Sequence, residues 1–207
     1  MNNKLIATLL LVSLSLNTHG VFAGESFLQR MDSITSMSGD FHQIMVDADG
    51  EEIGDPLDGK FCLQRPGQFY WETFPPYPQK VIRNGQGLLV YDPDLEQLTI
   101  YSEAEFANTP GAILSGGTEN IRDAYAIESR EEKQRVSYIL REKNKSDKSF
   151  ESLSFTFEKS TLVSIELVDQ LEQRTHIDFK NMESGKALDA EIFAFTPPQG
   201  VEIIRKQ

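Results

Sequence analysis

The chain has 207 residues, with 32 Asp and Glu against 20 Lys and Arg, for a formal charge of −12. That length suits one domain, and that acidity excludes nucleic-acid binders and polybasic membrane-surface binders, both of which need a basic face. One cysteine excludes an internal disulfide framework and a Cys-rich zinc site.

The N-terminus reads as an address. Met1-Asn2-Asn3-Lys4 is short and positive, Leu5 to Leu16 is apolar apart from Thr8, Ser13 and Ser15, and Val21-Phe22-Ala23 closes the segment on a small residue. This is the layout of a cleavable secretory signal, with cleavage expected after Ala23. The apolar run falls short of the roughly 20 residues a helical span needs, and no second run of that kind follows. The expected organisation is therefore a signal over residues 1–23 and one domain over 24–207, in the periplasm or outside the cell. No cysteine follows Ala23 directly, so no lipid anchor is expected there, and Cys62, in an apolar strand, reads as a buried, inert thiol.

Ser26 to Met37 places Phe27, Leu28, Met31, Ile34 and Met37 at helical spacing. The pattern then changes to strands: Phe41–Val46, Gly59–Gln64, Phe69–Phe74, Gln79–Arg83, Leu88–Tyr91 and Gln97–Ile100. Asp49-Gly50, Asn84-Gly85 and Asp92-Pro93-Asp94 supply turn signals. Ser102 to Asn120 loses the alternation and reads as short helix and loop. Strands resume at Tyr125–Ser129, Arg135–Glu142, Ser152–Glu158, Leu162–Val168 and Gln173–Phe179, with a last one expected at Phe193–Phe195. Lys143 to Ser149 reads as a charged hairpin tip. Strands at short regular spacing predict a strongly curved or barrel-like antiparallel sheet.

Period-two alternation puts Phe61 with Leu63, Phe69 with Trp71, and Leu153 with Phe155 and Phe157 on one sheet face, together with Val163, Ile165 and Leu167, and Ile177 with Phe179. The other face carries Lys, Glu, Gln and Ser. One helix and one irregular segment are a thin cover for so many strands. The pattern leaves open an ordinary filled core or an apolar cavity for a greasy ligand under a helical lid.

Catalytic signals are weak. His42 and His176 stand alone on their strands, no nucleophile elbow or zinc-protease motif is present, and no cofactor is implied. Asp47-Ala48-Asp49-Gly50-Glu51 begins like a calcium loop but has Glu52 where glycine is required and Asp58 at the twelfth position, so no metal is expected there. The reading is of a non-enzyme.

Five runs in order carry a resemblance. Arg65-Pro66-Gly67-Gln68-Phe69-Tyr70-Trp71 resembles the Arg-Pro-x-x-Phe-x-Trp signature of the outer-membrane lipoprotein carrier (LolA) family. Phe41-His42-Gln43 resembles its early Phe-x-Gln strand, and Asn84-Gly85 with Tyr91 to Gln97 its Asn-Gly and Tyr-x-Pro stretch. Asn108-Thr109-Pro110 resembles the opening of its lid helix, and Phe195 to Val201 its C-terminal Phe-x-Pro-Pro-x-Gly-Val.

The resemblance implies a mainly β, α+β fold: a strongly curved, unclosed antiparallel half-barrel with a helical lid over a hydrophobic cavity. It implies a periplasmic chaperone, expected as a monomer, that accepts lipoproteins from an inner-membrane ABC transporter and passes them to an outer-membrane receptor. A related lipoprotein receptor or sensor on the same half-barrel is the alternative. Phe69, Trp71, Ile113 and Leu114 are then expected to line the acyl cavity, with Leu28, Met31 and Ile34 as a lid-side helix face. Arg65 is implied to latch the lid through backbone acceptors near Ala112 to Leu114. Gly111-Ala112 departs from the bulkier apolar residues often found there, which implies a looser lid or a different cargo preference. A carrier this acidic is also expected to meet a basic patch on its partners.

Overall fold

The computed structural model describes residues 19–102, 109–119, 121–144 and 149–206; the signal-like segment up to residue 18, Asn108 and part of the 143–149 tip lie outside the described residues. The first element, α1 (His19–Ser33), starts earlier and stops earlier than the helical spacing predicts. It ends where Ser33 donates its hydroxyl to the Arg30 carbonyl and the Ile34 amide bonds the Met31 carbonyl. Ile34 lies just past the helix, and Met37 belongs to the following strand, paired with Leu63 and Ser184. Met37 is buried from a strand, and its place in the helical count is a coincidence of spacing.

Two antiparallel meanders follow. The first is β1 (Ser36–Val46), β2 (Leu57–Gln64), β3 (Gln68–Thr73), β4 (Gln79–Asn84), β5 (Gly87–Asp92) and β6 (Gln97–Tyr101). The second is β7 (Tyr125–Glu132), β8 (Arg135–Glu142), β9 (Ser152–Glu158), β10 (Thr161–Val168) and β11 (Arg174–Ser184). They join where β1 pairs antiparallel with β11, Phe41 opposite Phe179 and Ile44 opposite His176. Between them lie α2 (Pro110–Ser115) and the single turn α3 (Ile121–Ala124).

The last strand is not Phe193–Phe195. Ala190–Phe193 is a 3-10 turn, begun by Asp189, whose side chain accepts from the Glu191 amide. Pro197 and Pro198 follow and have no amide hydrogen to give a sheet. The final strand is β12 (Glu202–Arg205), which pairs parallel with β6. The result is one twelve-stranded sheet in the order β12-β6-β5-β4-β3-β2-β1-β11-β10-β9-β8-β7. Its ends do not meet, so it is an unclosed, mainly antiparallel half-barrel with few helices.

The concave face is apolar as the alternation requires: Phe61, Leu63, Leu153, Phe155 and Phe157 are wholly buried. Helix α1 seals the β7–β9 side. Phe27 packs between Tyr138 and Phe155, with ring centroids 5.3 and 5.4 Å away. The Tyr138 hydroxyl oxygen accepts from Arg30 Nε at 3.0 Å and shares a 2.7 Å bond with Ser26 Oγ, which satisfies a phenol that the apolar packing would otherwise strand.

The convex face is less polar than the sequence suggests. Ile82, Leu89 and Leu98 are buried on that side with Tyr70 and Tyr91, under Phe195 and Val201 of the C-terminal segment. Asn84 fixes the segment by donating to the Phe193 carbonyl at 2.7 Å. Short strands such as β4–β6 carry apolar residues on both faces, so their alternation hides the second layer.

Candidate functional site: an apolar cleft under a tethered helix

Helix α2 forms because its local sequence sets both ends. Thr109 caps the N-terminus, its Oγ1 accepting from the Ala112 amide at 3.2 Å, and Pro110 occupies the first turn, where no amide donor is required. Six residues cannot hold a helix alone, so tertiary contacts must. A helix leaves its last carbonyls without intrahelical partners, and here all of these have donors. Ser115 Oγ donates to Gly111 O at 2.7 Å and the Gly116 amide to Ala112 O at 2.7 Å. Arg65 donates through Nε to Leu114 O at 2.9 Å and through Nη2 to Ile113 O at 3.3 Å. The Gly67 amide donates to Ser115 O at 2.8 Å.

Three of these bonds come from the β2–β3 turn. Gly67 has φ +79, a conformation that side chains resist, and a Cβ there would stand 2.8 Å from Arg83 Nη1. Arg65 is also fixed by its own amide, which bonds the Thr35 carbonyl at 2.8 Å. A cation at a helix C-terminus faces the negative end of the helix dipole. Burial pulls the Arg65 pKa down, and the Asp32 and Glu119 carboxylates pull it partly back up. The guanidinium thus sits half-buried and charged against the carbonyl end of α2.

Beneath α2 lies an apolar cleft of about 240 Å³. Phe69 and Trp71 of β3, Val81 of β4 and Leu88 of β5 form one wall, and Ile165 and Ile177 the other. Pro110, Gly111 and Leu114 roof it, and Gln43 is a polar group at its border. Trp71 stacks on Phe41 with centroids 3.7 Å apart and lies nearly parallel to Phe69 at 6.2 Å. Gly111 borders the cleft without contributing a side chain to the roof.

Phe69, Trp71 and Leu114 therefore stand in the cleft. Ile113 is buried in the adjoining core, and Met31 and Ile34 pack in the same core. Leu28 borders a separate cavity of about 490 Å³ between α1 and β7, beside Arg122, Tyr125 and Lys143. Val81, Leu88, Ile165, Ile177 and Gln43 join the cleft beyond the residues expected there. Ile165 and Ile177 carry a signal, since both lie on the apolar alternation of their strands. Val81 and Leu88 sit on six-residue strands and are each followed by a buried apolar residue, Ile82 and Leu89, that faces the opposite layer, so alternation does not single them out.

The groups that could suggest chemistry are otherwise engaged. His42 Nδ1 lies 2.9 Å from Asp58 and His176 Nε2 3.2 Å from Asp178, each an exposed pair. Asp47 Oδ1 accepts from the Asp49 and Glu51 amides, which makes the acidic segment a turn. Cys62 is half-buried rather than fully buried; burial raises its thiol pKa, and Lys60 partly opposes that. No helix among the described residues is long and apolar enough to cross a membrane.

Residues 32–196 match the family described as outer membrane lipoprotein carrier protein LolA. The chain is 37% identical over 177 residues to the outer-membrane lipoprotein carrier protein of Chromohalobacter salexigens, covering 85% of this chain and 83% of that one. It is 33% identical over 208 residues to the protein of the same description from Pseudomonas putida strain GB-1, covering 98% and 100%. In fold it is similar to an uncharacterized conserved protein from Thermus thermophilus, with a TM-score of 0.56 at 10% identity over 88% of this chain and 98% of that one.

Proposed function

The chain belongs to the outer membrane lipoprotein carrier protein family, and on that footing we propose that it binds the acyl chains of lipoproteins in the cleft beneath α2. In this reading the protein is a periplasmic chaperone that receives lipoproteins from an inner-membrane ABC transporter and delivers them to an outer-membrane receptor. Residues 1–23 serve as the cleavable signal; because α1 begins at His19, cleavage after Ala23 shortens that helix to start at Gly24.

The observation that carries the reading is an apolar cleft roofed by a helix whose carbonyl end is held by one arginine. Exposing an acyl chain of ~16 carbons to water costs on the order of 12 kcal/mol, at about 0.8 kcal/mol per CH2. Aromatic and branched walls offset that cost without dictating the chain's geometry. The cleft's volume is below the ~300–1,000 Å³ of ordinary ligand pockets, so uptake requires α2 to lift. A docked α2 shields the apolar wall when cargo is absent. It also competes with cargo, which keeps binding weak enough for onward transfer.

Arg65 is the latch in this scheme, and Phe69, Trp71 and Leu114 contact the acyl chain. Leu28, Met31 and Ile34 support the cover from the adjoining core, and Ile113 anchors α2 in that core. The test uses spheroplasts carrying labelled lipoprotein, incubated with purified mature protein. Release of lipoprotein into a soluble one-to-one complex is expected; retention of all label in the membrane would refute the proposal.

A further inference from the structure

Arg65 is not the sole fastener near α2. Thr118, three residues past the end of that helix, donates its hydroxyl to Asp32 Oδ1 at 2.6 Å. Asp32 lies in the last turn of α1, and α1 is well anchored: Phe27 and Met31 have no exposed surface, and Arg30 is bonded to Tyr138. The Thr118–Asp32 bond thus ties the exit of α2 to a fixed post, whereas Arg65 ties α2 itself to the sheet. The two ties are close together, because Arg65 bonds the Thr35 carbonyl three residues beyond Asp32. Lifting α2 away from the β2–β3 turn pulls on both at once.

We propose that the Asp32–Thr118 hydrogen bond is a second catch on the cover of the cleft, one that makes access to the cleft depend on α1 as well as on Arg65. This rests on the reading of α2 as a movable cover over an acyl-binding cleft. Asp32 and Thr118 are positioning residues: neither lines the cleft, and each acts through the place it holds α2. A ligand that needs the lifted state sees its affinity reduced by the fraction of protein that is closed. Any bond present only in the closed state therefore lowers apparent affinity and slows uptake.

The experiment measures uptake of 11-(dansylamino)undecanoic acid, a fluorescent fatty acid, by the purified mature protein in stopped flow and at equilibrium. Thr118→Val and Asp32→Ala should each speed uptake and tighten apparent binding about threefold to tenfold, the range expected for losing one hydrogen bond. Thr118→Ser should behave as wild type. The double variant should match Asp32→Ala, because that change already removes the shared bond along with the Asp32 charge facing Arg65, and Thr118→Val then has no bond left to lose. Unchanged uptake in Thr118→Val with only a lowered melting temperature would overturn the catch, as would additive effects in the double variant. If neither wild type nor Arg65→Leu bound the probe, the cleft reading itself would fall and take the catch with it; binding by both, indifferent to Thr118 and Asp32, would remove the catch alone.

Discussion

Phe41 and Trp71 stack across the intervening strand β2, their centroids 3.7 Å apart and their planes 19° apart. The contact exists because Gly59 lies between them. Gly59 pairs with Phe41 on one side and Thr73 on the other, and a Cβ there would collide with the Phe41 ring and the Glu72 carbonyl oxygen. Gly59→Ala should destabilise the fold by about 1–3 kcal/mol, the usual cost of overpacking. It should also shift Trp71 emission in the folded state. Chemical denaturation and fluorescence together check this; an unchanged spectrum and midpoint would mean that the sheet absorbs the methyl group.

Arg65→Leu leaves the Ile113 and Leu114 carbonyls without their side-chain donor, at about 1–3 kcal/mol for each that stays buried. The docked position of α2 should lose most of its advantage. The variant is expected to load lipoprotein and to deliver it poorly, since a cover that no longer competes with cargo no longer helps to expel it. Transfer to receptor-containing outer membranes is the measurement, and wild-type delivery would exclude the latch role. Arg65→Lys should rescue only in part, because an ammonium lacks the planar fork that reaches two carbonyls.

Trp71 is half-buried in the wall of the cleft and is the chain's one tryptophan. Acyl loading should change its emission, with a blue shift as water leaves the cleft. Titration with a saturated fatty acid checks this. A spectrum indifferent to ligand would place the acyl chain elsewhere.

Glu72 supplies a pH dependence. Burial favours its neutral form, yet the hydrogen bonds from Tyr70 at 2.7 Å and from Lys60, together with the charges of Lys80 and Lys60, outweigh it and lower the pKa below the ordinary 4.5. A group whose pKa is lowered by folding stabilises the fold fully above its unfolded value. That contribution disappears as the pH falls through the folded value. Stability of the wild type should therefore fall below about pH 4.5 more steeply than that of Glu72→Gln, as read from urea midpoints between pH 3 and 7; parallel curves would show that the cluster contributes nothing.

Phe193 is buried in the C-terminal crossing over the convex face and is tied by Asn84 to its carbonyl. Phe193→Ala should cost about 3–5 kcal/mol and should loosen β12 first. Amide exchange of Ile203 and Ile204 would report it. Unaltered protection of that strand would separate the crossing from the strand it leads to.

The concave half of this architecture is legible in the sequence because one-sided strands advertise themselves. Leu153, Phe155 and Phe157 alternate with polar residues, and their strand stands where the spacing puts it. The position of Arg65 against the carbonyls of Ile113 and Leu114 is legible only through the resemblance, since no local pattern joins residues so far apart in the chain. Two features are not legible. The convex apolar layer is built from Ile82, Leu89 and Leu98, on strands too short for alternation to separate two faces. The final strand is displaced from its expected place because Phe193 and Phe195 look like a strand by composition, while Glu202–Arg205 looks like a charged tail. Its pairing with β6 is a tertiary fact that local propensity does not encode.

The seam between β1 and β11 has a kinetic meaning. Within each meander, partners are neighbours in the chain and meet early, because closing short loops costs little entropy. The seam is different: Met37 must find Ser184, across most of the chain. Contacts of such separation slow folding. Until β11 is available the first meander therefore has one flank of β1 unpaired, an exposed template for wrong partners. The cleft itself waits for that arrival, because Ile165 and Ile177 of its second wall belong to the last third of the chain.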